Sequence, residues 1–207
     1  MTEEELRLWI RRFAARVRED ESRLTELDAA IGDADHGGNL RRGLDKAEAA
    51  LEDLPAGDLQ ATARKVGMTM MSTVGGASGA LWGTFWLRVA QALPAADRVD
   101  DEGLLRALDA GVFGIRERGK AEPDDKTMLD VWTAATHALR SRVEEGQGLA
   151  QAMKAAAEAA RAETERTVPL QAKKGRASYL GERSRGHMDP GSLSTAHFWA
   201  QAPGITP

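Results

Sequence analysis

Leu27-Asp28-Ala29-Ala30-Ile31-Gly32-Asp33-Ala34-Asp35-His36-Gly37-Gly38-Asn39 is the stretch around which the rest of the chain is organised. Asp28, Asp33 and Asp35 cannot converge if this is one continuous helix, because residues two apart face different directions. They can converge if a helix ends near Gly32, the chain turns, and a new helix follows. Gly32, Gly37 and Gly38 permit such a turn, since glycine tolerates positive φ and close backbone approach. Two readings fit. One is a solvated acidic turn; the other is three carboxylates around a hard cation, Mg²⁺ or Ca²⁺ rather than a soft metal. A calcium EF-hand fits poorly. With Asp33 and Asp35 as its first and third positions, Gly37 falls where an oxygen ligand is needed and Leu44 where a glutamate is. Mg²⁺ fits better, since it is commonly held by one or two carboxylates plus substrate phosphates.

Working outward, helical periodicity recurs on both sides. Leu6, Ile10, Phe13 and Val17 form one amphipathic helix. Ser22 is the expected cap of a second, through Leu24, Leu27 and Ile31. Asn39 is the expected cap of a third, with Leu40, Leu44, Ala47 and Leu51 on one side. Asp58 caps a fourth, to about Val74. After Gly75-Gly76-Ala77-Ser78-Gly79 a helix resumes with Leu81, Trp82, Phe85, Trp86 and Val89. Asp100 or Asp101 starts another, carrying Leu104, Leu105, Leu108, Val112 and Ile115 and ending at Gly119. Asp124 or Asp125 is the expected cap of the next, with Met128, Leu129, Val131, Trp132 and Leu139. Leu149 to about Thr167 is alanine-rich and helix-favouring. A basic loop, Lys173-Lys174-Gly175-Arg176, precedes a last helix at Asp189-Pro190-Gly191-Ser192, with proline in its first turn. No segment alternates with β-branched residues. The expectation is an all-α bundle of about eight helices, with no domain linker, whose sites lie where helix ends meet.

Composition narrows the function. The chain has 207 residues, 28 Lys+Arg against 32 Asp+Glu, a formal charge of -4 and no cysteine. That length can bury a proper core. Mild acidity argues against nucleic-acid binding as the main function. Absence of cysteine excludes disulfides, a thiol nucleophile and Cys-type zinc sites. No apolar run reaches the roughly 18 residues of a membrane span, and Met1-Thr-Glu-Glu-Glu5 lacks the basic start of a signal peptide. A soluble, cytoplasmic protein is expected.

Three glycine-rich breaks each precede a helix: Gly32 to Asn39, Gly75 to Gly79, and Asp189 to Ser192. A helix start offers unpaired N–H groups and partial positive charge, hence an anion site. Each break is also readable as a plain tight turn. Together with the aspartates they suggest a metal–polyphosphate site, with Ser78 adding a hydroxyl donor. Gly114 to Ala121 nearly spells a P-loop, but Ala121 replaces the required hydroxyl and no strand precedes it, so that reading is rejected. Among the histidines, His36 and His187 are site candidates, while His137 and His197 read as packing or surface residues.

Four stretches now decide the matter. They are Leu27 to Gly37; Gly75-Gly76-Ala77-Ser78-Gly79; Gly119 to Asp130, which reads GKAEPDDKTMLD; and Gly175 to Ser184 (GRASYLGERS), followed by Gly186-His187-Met188-Asp189-Pro190-Gly191. In this order they resemble the motifs of the nucleotide-binding L subunit of dihydroxyacetone kinase, over essentially the whole chain. The resemblance implies one domain over residues 1–207, an eight-helix antiparallel barrel with a nucleotide site at one end. It implies that Asp28, Asp33 and Asp35 hold two Mg²⁺ ions against the phosphates of ADP or ATP. His36, Gly37, Gly38, Asn39, Ala77 and Ser78 would line the phosphates. Gly119 and Met128 would border the nucleoside, and Arg176, Asp189, Pro190 and Gly191 would close the pocket. Ala34 stands where the family often has a third glycine, Ala80 where proline is frequent and Met188 where glutamine is.

The same resemblance implies a phosphotransferase that needs a partner. A separate K subunit would hold dihydroxyacetone on its own histidine. In one mode ADP stays bound and is rephosphorylated by a phosphohistidine carrier, the M subunit of the phosphoenolpyruvate-dependent phosphotransferase system. In the other, ATP exchanges as an ordinary substrate, with dihydroxyacetone or a related short ketose as acceptor. A nucleotide-loaded module that signals to a transcription regulator is the alternative of another class, and a homodimer is left open.

Overall fold

The structure, a computed structural model, describes residues 1–205. Its first helix shows how local sequence sets an element. In α1 (Glu3–Glu19) the Thr2 hydroxyl accepts the Glu5 N–H while the Glu5 carboxylate accepts the Thr2 N–H, a reciprocal cap. Glu3, Glu4 and Glu5 then sit at the positive end of the helix dipole and Arg16 and Arg18 at the negative end. Leu6, Ile10, Phe13 and Val17 all face inward. A single residue, Asp20, separates α1 from α2 (Glu21–Ile31), so Ser22 lies inside α2 and does not cap it. Asp20 itself makes no cap bond, because His197 takes its carboxylate at 2.7 Å.

The remaining helices are α3 (His36–Glu52), α4 (Leu59–Thr73), α5 (Gly76–Ala92), α6 (Asp101–Gly119), α7 (Met128–Glu144), α8 (Leu149–Arg166) and α9 (Pro190–Ala200). Among the described residues there is no strand, only an isolated bridge between Thr2 and Arg98. Asp58, Asp100 and Asp189 cap α4, α6 and α9 as their sequences predict, with Pro190 in the first turn of α9. Three starts differ from expectation. Helix α3 begins at His36, so Asn39 lies within its first turns. The cap of α7 is Thr127, paired reciprocally with Asp130, and not Asp124 or Asp125. Helix α5 begins at Gly76, which makes most of the second glycine run helical. The basic loop leads into a 3-10 helix, Arg176–Ser184, broken at Gly181 with φ 57.

Neighbour packing closes a ring. Helices α3 to α9 each pack on the next, α9 returns to α1 and α2, and these pack on α3. With α1 and α2 counted as one broken stave, the nine α-helices of the described residues make the eight staves of an antiparallel barrel. The inside is filled by aromatics centred on Phe198, which is fully buried. Its ring stacks on Trp9 at 4.3 Å and meets Trp132 at 5.2 Å and Trp82 at 5.8 Å. Trp9 Nε1 donates to the Phe198 carbonyl at 2.7 Å, tying α1 to α9. One hydrophobic cluster takes residues from all nine α-helices. Alternating direction brings the starts of α3, α5, α7 and α9 and the ends of α2 and α6 to one rim, where they line a common cavity. Among the described residues no helix is long and apolar enough to cross a membrane.

Candidate functional site

The rim cavity has a volume of about 580 Å³. Its acidic corner is built by Asp28, which lies in the last turn of α2 and organises the turn after it. Asp28 Oδ2 accepts the N–H of Asp35 at 2.8 Å and of His36 at 3.1 Å. These bonds satisfy donors at the start of α3 and explain why that helix starts three residues before Asn39. A Cβ on Gly32 would collide with the Asp28 carboxylate, so this position requires glycine. The turn brings Asp33 and Asp35 back over Asp28, with one carboxylate oxygen of each within 4.8 Å of the others. Three anions so close fit a hard divalent cation among them. The charge facing them is Arg176, whose Nη2 lies 2.9 Å from Asp33 Oδ2.

His36 is buried beside this corner and bridges three helices. Its Nδ1 is 2.9 Å from Ser78 Oγ on α5 and its Nε2 is 3.0 Å from Ser194 Oγ on α9. Burial lowers its pKa to about 4, against a smaller upward pull from Asp28, so the ring is neutral near pH 7. His36 is therefore a strut, with both ring nitrogens and its backbone N–H already paired.

The four helix starts differ in what they leave unpaired. Asp28 serves α3, Thr127 and Asp130 serve α7, and Asp189 accepts the Ser192 N–H at 2.7 Å in α9. Helix α5 has no side-chain cap, and Gly76, Ala77 and Ser78 line the cavity. Its first amides are thus the open anion site of the rim. A Cβ on Gly76 would come 3.9 Å from Asp35 Oδ2, so anion site and acidic corner adjoin. Opposite them, Leu81, Ile115, Ala121 and Met128 give an apolar wall. Asp189 closes the floor, and burial first of all raises its pKa to about 6.

Twelve of the fifteen residues singled out in the sequence line this cavity: Asp28, Asp33, Asp35, His36, Ala77, Ser78, Gly119, Met128, Arg176, Asp189, Pro190 and Gly191. Gly37, Gly38 and Asn39 do not. Gly37 packs on α2 so tightly that a Cβ would meet the Glu21 carbonyl and the Thr25 hydroxyl. Gly38 faces the Glu21 carboxylate, and Asn39 faces Gly75 from behind. His187 is exposed and off the cavity wall. Sequence reasoning missed Arg118, Lys126, Thr127 and Lys174 on the wall. The legible signal for Thr127 was its spacing of three from Asp130, a reciprocal cap.

An acidic corner, an open helix start and an apolar wall in one cavity suit a polyphosphate with a planar base. A family model, the DAK2 domain, matches residues 30–202. The chain belongs to the DAK2 domain family. It is 44% identical over 186 residues to the "PEP-dependent dihydroxyacetone kinase, ADP-binding subunit DhaL" of Escherichia coli (strain K12), covering 90% of this chain and 89% of that protein. It is 43% identical to the corresponding kinase 1 subunit of Listeria innocua, with 91% and 89% covered. A solved structure of the dihydroxyacetone kinase from C. freundii, in complex with AMP-PNP and Mg²⁺, superposes with a TM-score of 0.72 at 26% identity. That match covers 93% of this DAK2 chain and 32% of the C. freundii kinase chain.

Proposed function

We propose that this chain is the nucleotide-binding subunit of a dihydroxyacetone kinase, and that residues 1–207 act as one nucleotide-binding domain. The observation that carries this reading is the meeting of Asp28, Asp33 and Asp35 with the uncapped start of α5 inside one cavity. The 44% identity to a subunit named as ADP-binding supports it.

In this reading Asp28, Asp33 and Asp35 hold two Mg²⁺ ions. Bound there, Mg²⁺ would neutralise phosphate charge, which is most of what phosphoryl transfer needs from a protein. The amides of Gly76, Ala77 and Ser78 receive phosphate oxygens, with the first turn of α3, from His36 through Gly37 and Gly38 to Asn39, behind them. Gly119 and Met128 border the nucleoside. Arg176 and the Asp189-Pro190-Gly191 corner close over it. The acceptor, dihydroxyacetone, sits on a separate K subunit. ADP stays bound and is recharged by a phosphohistidine carrier, the M subunit, as the names of the PEP-dependent relatives suggest. Exchanging ATP is the second reading, favoured by the AMP-PNP complex of the C. freundii kinase.

The test combines the purified chain with a K subunit and either the phosphohistidine carrier or ATP. Triose phosphate with the carrier and none with ATP is expected. No triose phosphate with either donor would overturn the proposal. In parallel, Asp33→Ala should abolish Mg²⁺-dependent ADP binding with helix content unchanged; unaltered affinity would refute the metal assignment.

A further inference from the structure

Lys126 is 1% exposed, the only lysine or arginine in the buried core among the described residues. A buried lysine on the wall of a phosphate site invites reading as a phosphate ligand. Its hydrogen bonds exclude that. Nζ donates to the carbonyls of Val168 at 3.0 Å, Leu170 at 2.9 Å and Ser184 at 2.8 Å. An ammonium has three protons, and three main-chain oxygens take all of them.

Those acceptors stand at the two feet of one loop, residues 168–186. The feet are joined by the Gly186 N–H to the Val168 carbonyl at 2.9 Å and by the Ala172 N–H to Ser184 Oγ at 2.9 Å. The segment is thus a loop closed at its base, with the 3-10 helix Arg176–Ser184 in its span. Its middle carries Arg176 to the cavity and to Asp33. Ala172, Ala177 and Leu180 pack on Ile31 at the end of α2. The segment holding Lys126 is itself fixed, since Asp130 accepts the N–H groups of Asp124 at 2.5 Å and Thr127 at 2.8 Å. One buried cation thus links the start of α7 to the loop that covers the aspartates.

We infer that Lys126 is a positioning residue: its ammonium fastens both feet of the 168–186 loop, so that Arg176 is held over the aspartate corner. The inference rests on the cavity being an Mg·nucleotide site. It assigns Lys126 no contact with the nucleotide. Its effect on binding passes through the loop and through Arg176.

Two measurements test it. Hydrogen exchange on nucleotide-free protein reads the fastening directly. In Lys126→Met, amides of residues 170–184 should exchange at least about tenfold faster while the barrel helices keep their rates. Lys126→Gln, which keeps two of the protons, should fall between, and carries the test if the Met variant fails to fold. Calorimetry with Mg·ADP then gives a double-mutant cycle. Lys126→Met should weaken binding about tenfold alone, but less than about twofold in an Arg176→Gln background, because the two act through one contact. Unchanged loop exchange, or losses that multiply in full, would overturn the inference. Failure of the wild-type chain to bind Mg·ADP would sink the nucleotide reading instead, while the exchange result would still decide the fastening.

Discussion

Ala34 is held at φ 61, in the left-handed region, inside the turn that folds Asp33 and Asp35 over Asp28. A side chain there costs about 1–2 kcal/mol. Ala34→Gly relieves that cost against a smaller loss from a freer unfolded chain. A rise in stability of about 0.5–1 kcal/mol in urea melts is expected; a lower midpoint would contradict the assigned backbone. His36, which is buried, and Asp189, which is half-buried in the cavity floor, set opposite pH dependences. His36 has a folded pKa of about 4 against a usual 6.5, so the unfolded chain binds the extra proton in that window. Stability therefore falls by about 3 kcal/mol as pH drops from 6.5 to 4. Asp189 has a folded pKa of about 6 against a usual 3.8, so the folded chain binds the extra proton and stability rises by a similar amount over its window. The two largely cancel. Asp189→Asn should unmask His36, giving a midpoint that drops between pH 6.5 and 4.5 much more than in the wild type. Parallel profiles would show that His36 is not the buried neutral ring described. At this scale the sequence was informative where chemistry was clustered, as for the aspartates. It was silent on Lys126, because a lysine beside two aspartates reads as solvated until the carbonyls that bind it are brought in from 42 to 58 residues away.

Helix α5 shows what an element contributes. Its start is uncapped, and Gly79 in its first turn presses on Val74, where a Cβ would collide with the Val74 carbonyl. Gly79→Ala should shift that turn, at a cost of about 1–3 kcal/mol, and weaken Mg·ADP binding. Gly148→Ala, at the cap of α8 with φ -64 and no atom near its Cβ, is the control: the poorer cap and the stiffer unfolded chain oppose each other, and the net change should stay under about 1 kcal/mol with Mg·ADP binding unaltered. Equal effects at the two sites would remove the argument that α5 is placed by that glycine. Helix existence and facing were legible from periodicity, since Leu40, Leu44, Ala47 and Leu51 are all buried as spaced. Starts were less legible. The true cap acceptor of α3 is the carboxylate of Asp28, eight residues before His36, and no local rule identifies a cap supplied from another helix.

At the scale of the whole molecule, the barrel is held by aromatics that meet around Phe198 from α1, α5, α7 and α9. Phe198→Ala should cost about 3–5 kcal/mol by urea unfolding; less than about 1 kcal/mol would mean that the barrel centre lies elsewhere. An all-α architecture followed from the hydrophobic spacing. Closure into a ring did not, since it depends on which helices become neighbours, and the family resemblance supplied it. The broken stave at Asp20 likewise needed its partner His197, 177 residues away. In the proposed reading the rim cavity holds a nucleotide through Mg²⁺ at Asp28, Asp33 and Asp35. The most direct test is to purify the chain, desalt it with and without a chelator, denature it, and identify the released nucleotide by chromatography. Near-stoichiometric ADP that is lost after chelation is the expected result. A chain that carries no nucleotide, and binds neither added Mg·ADP nor Mg·ATP, would contradict the claim.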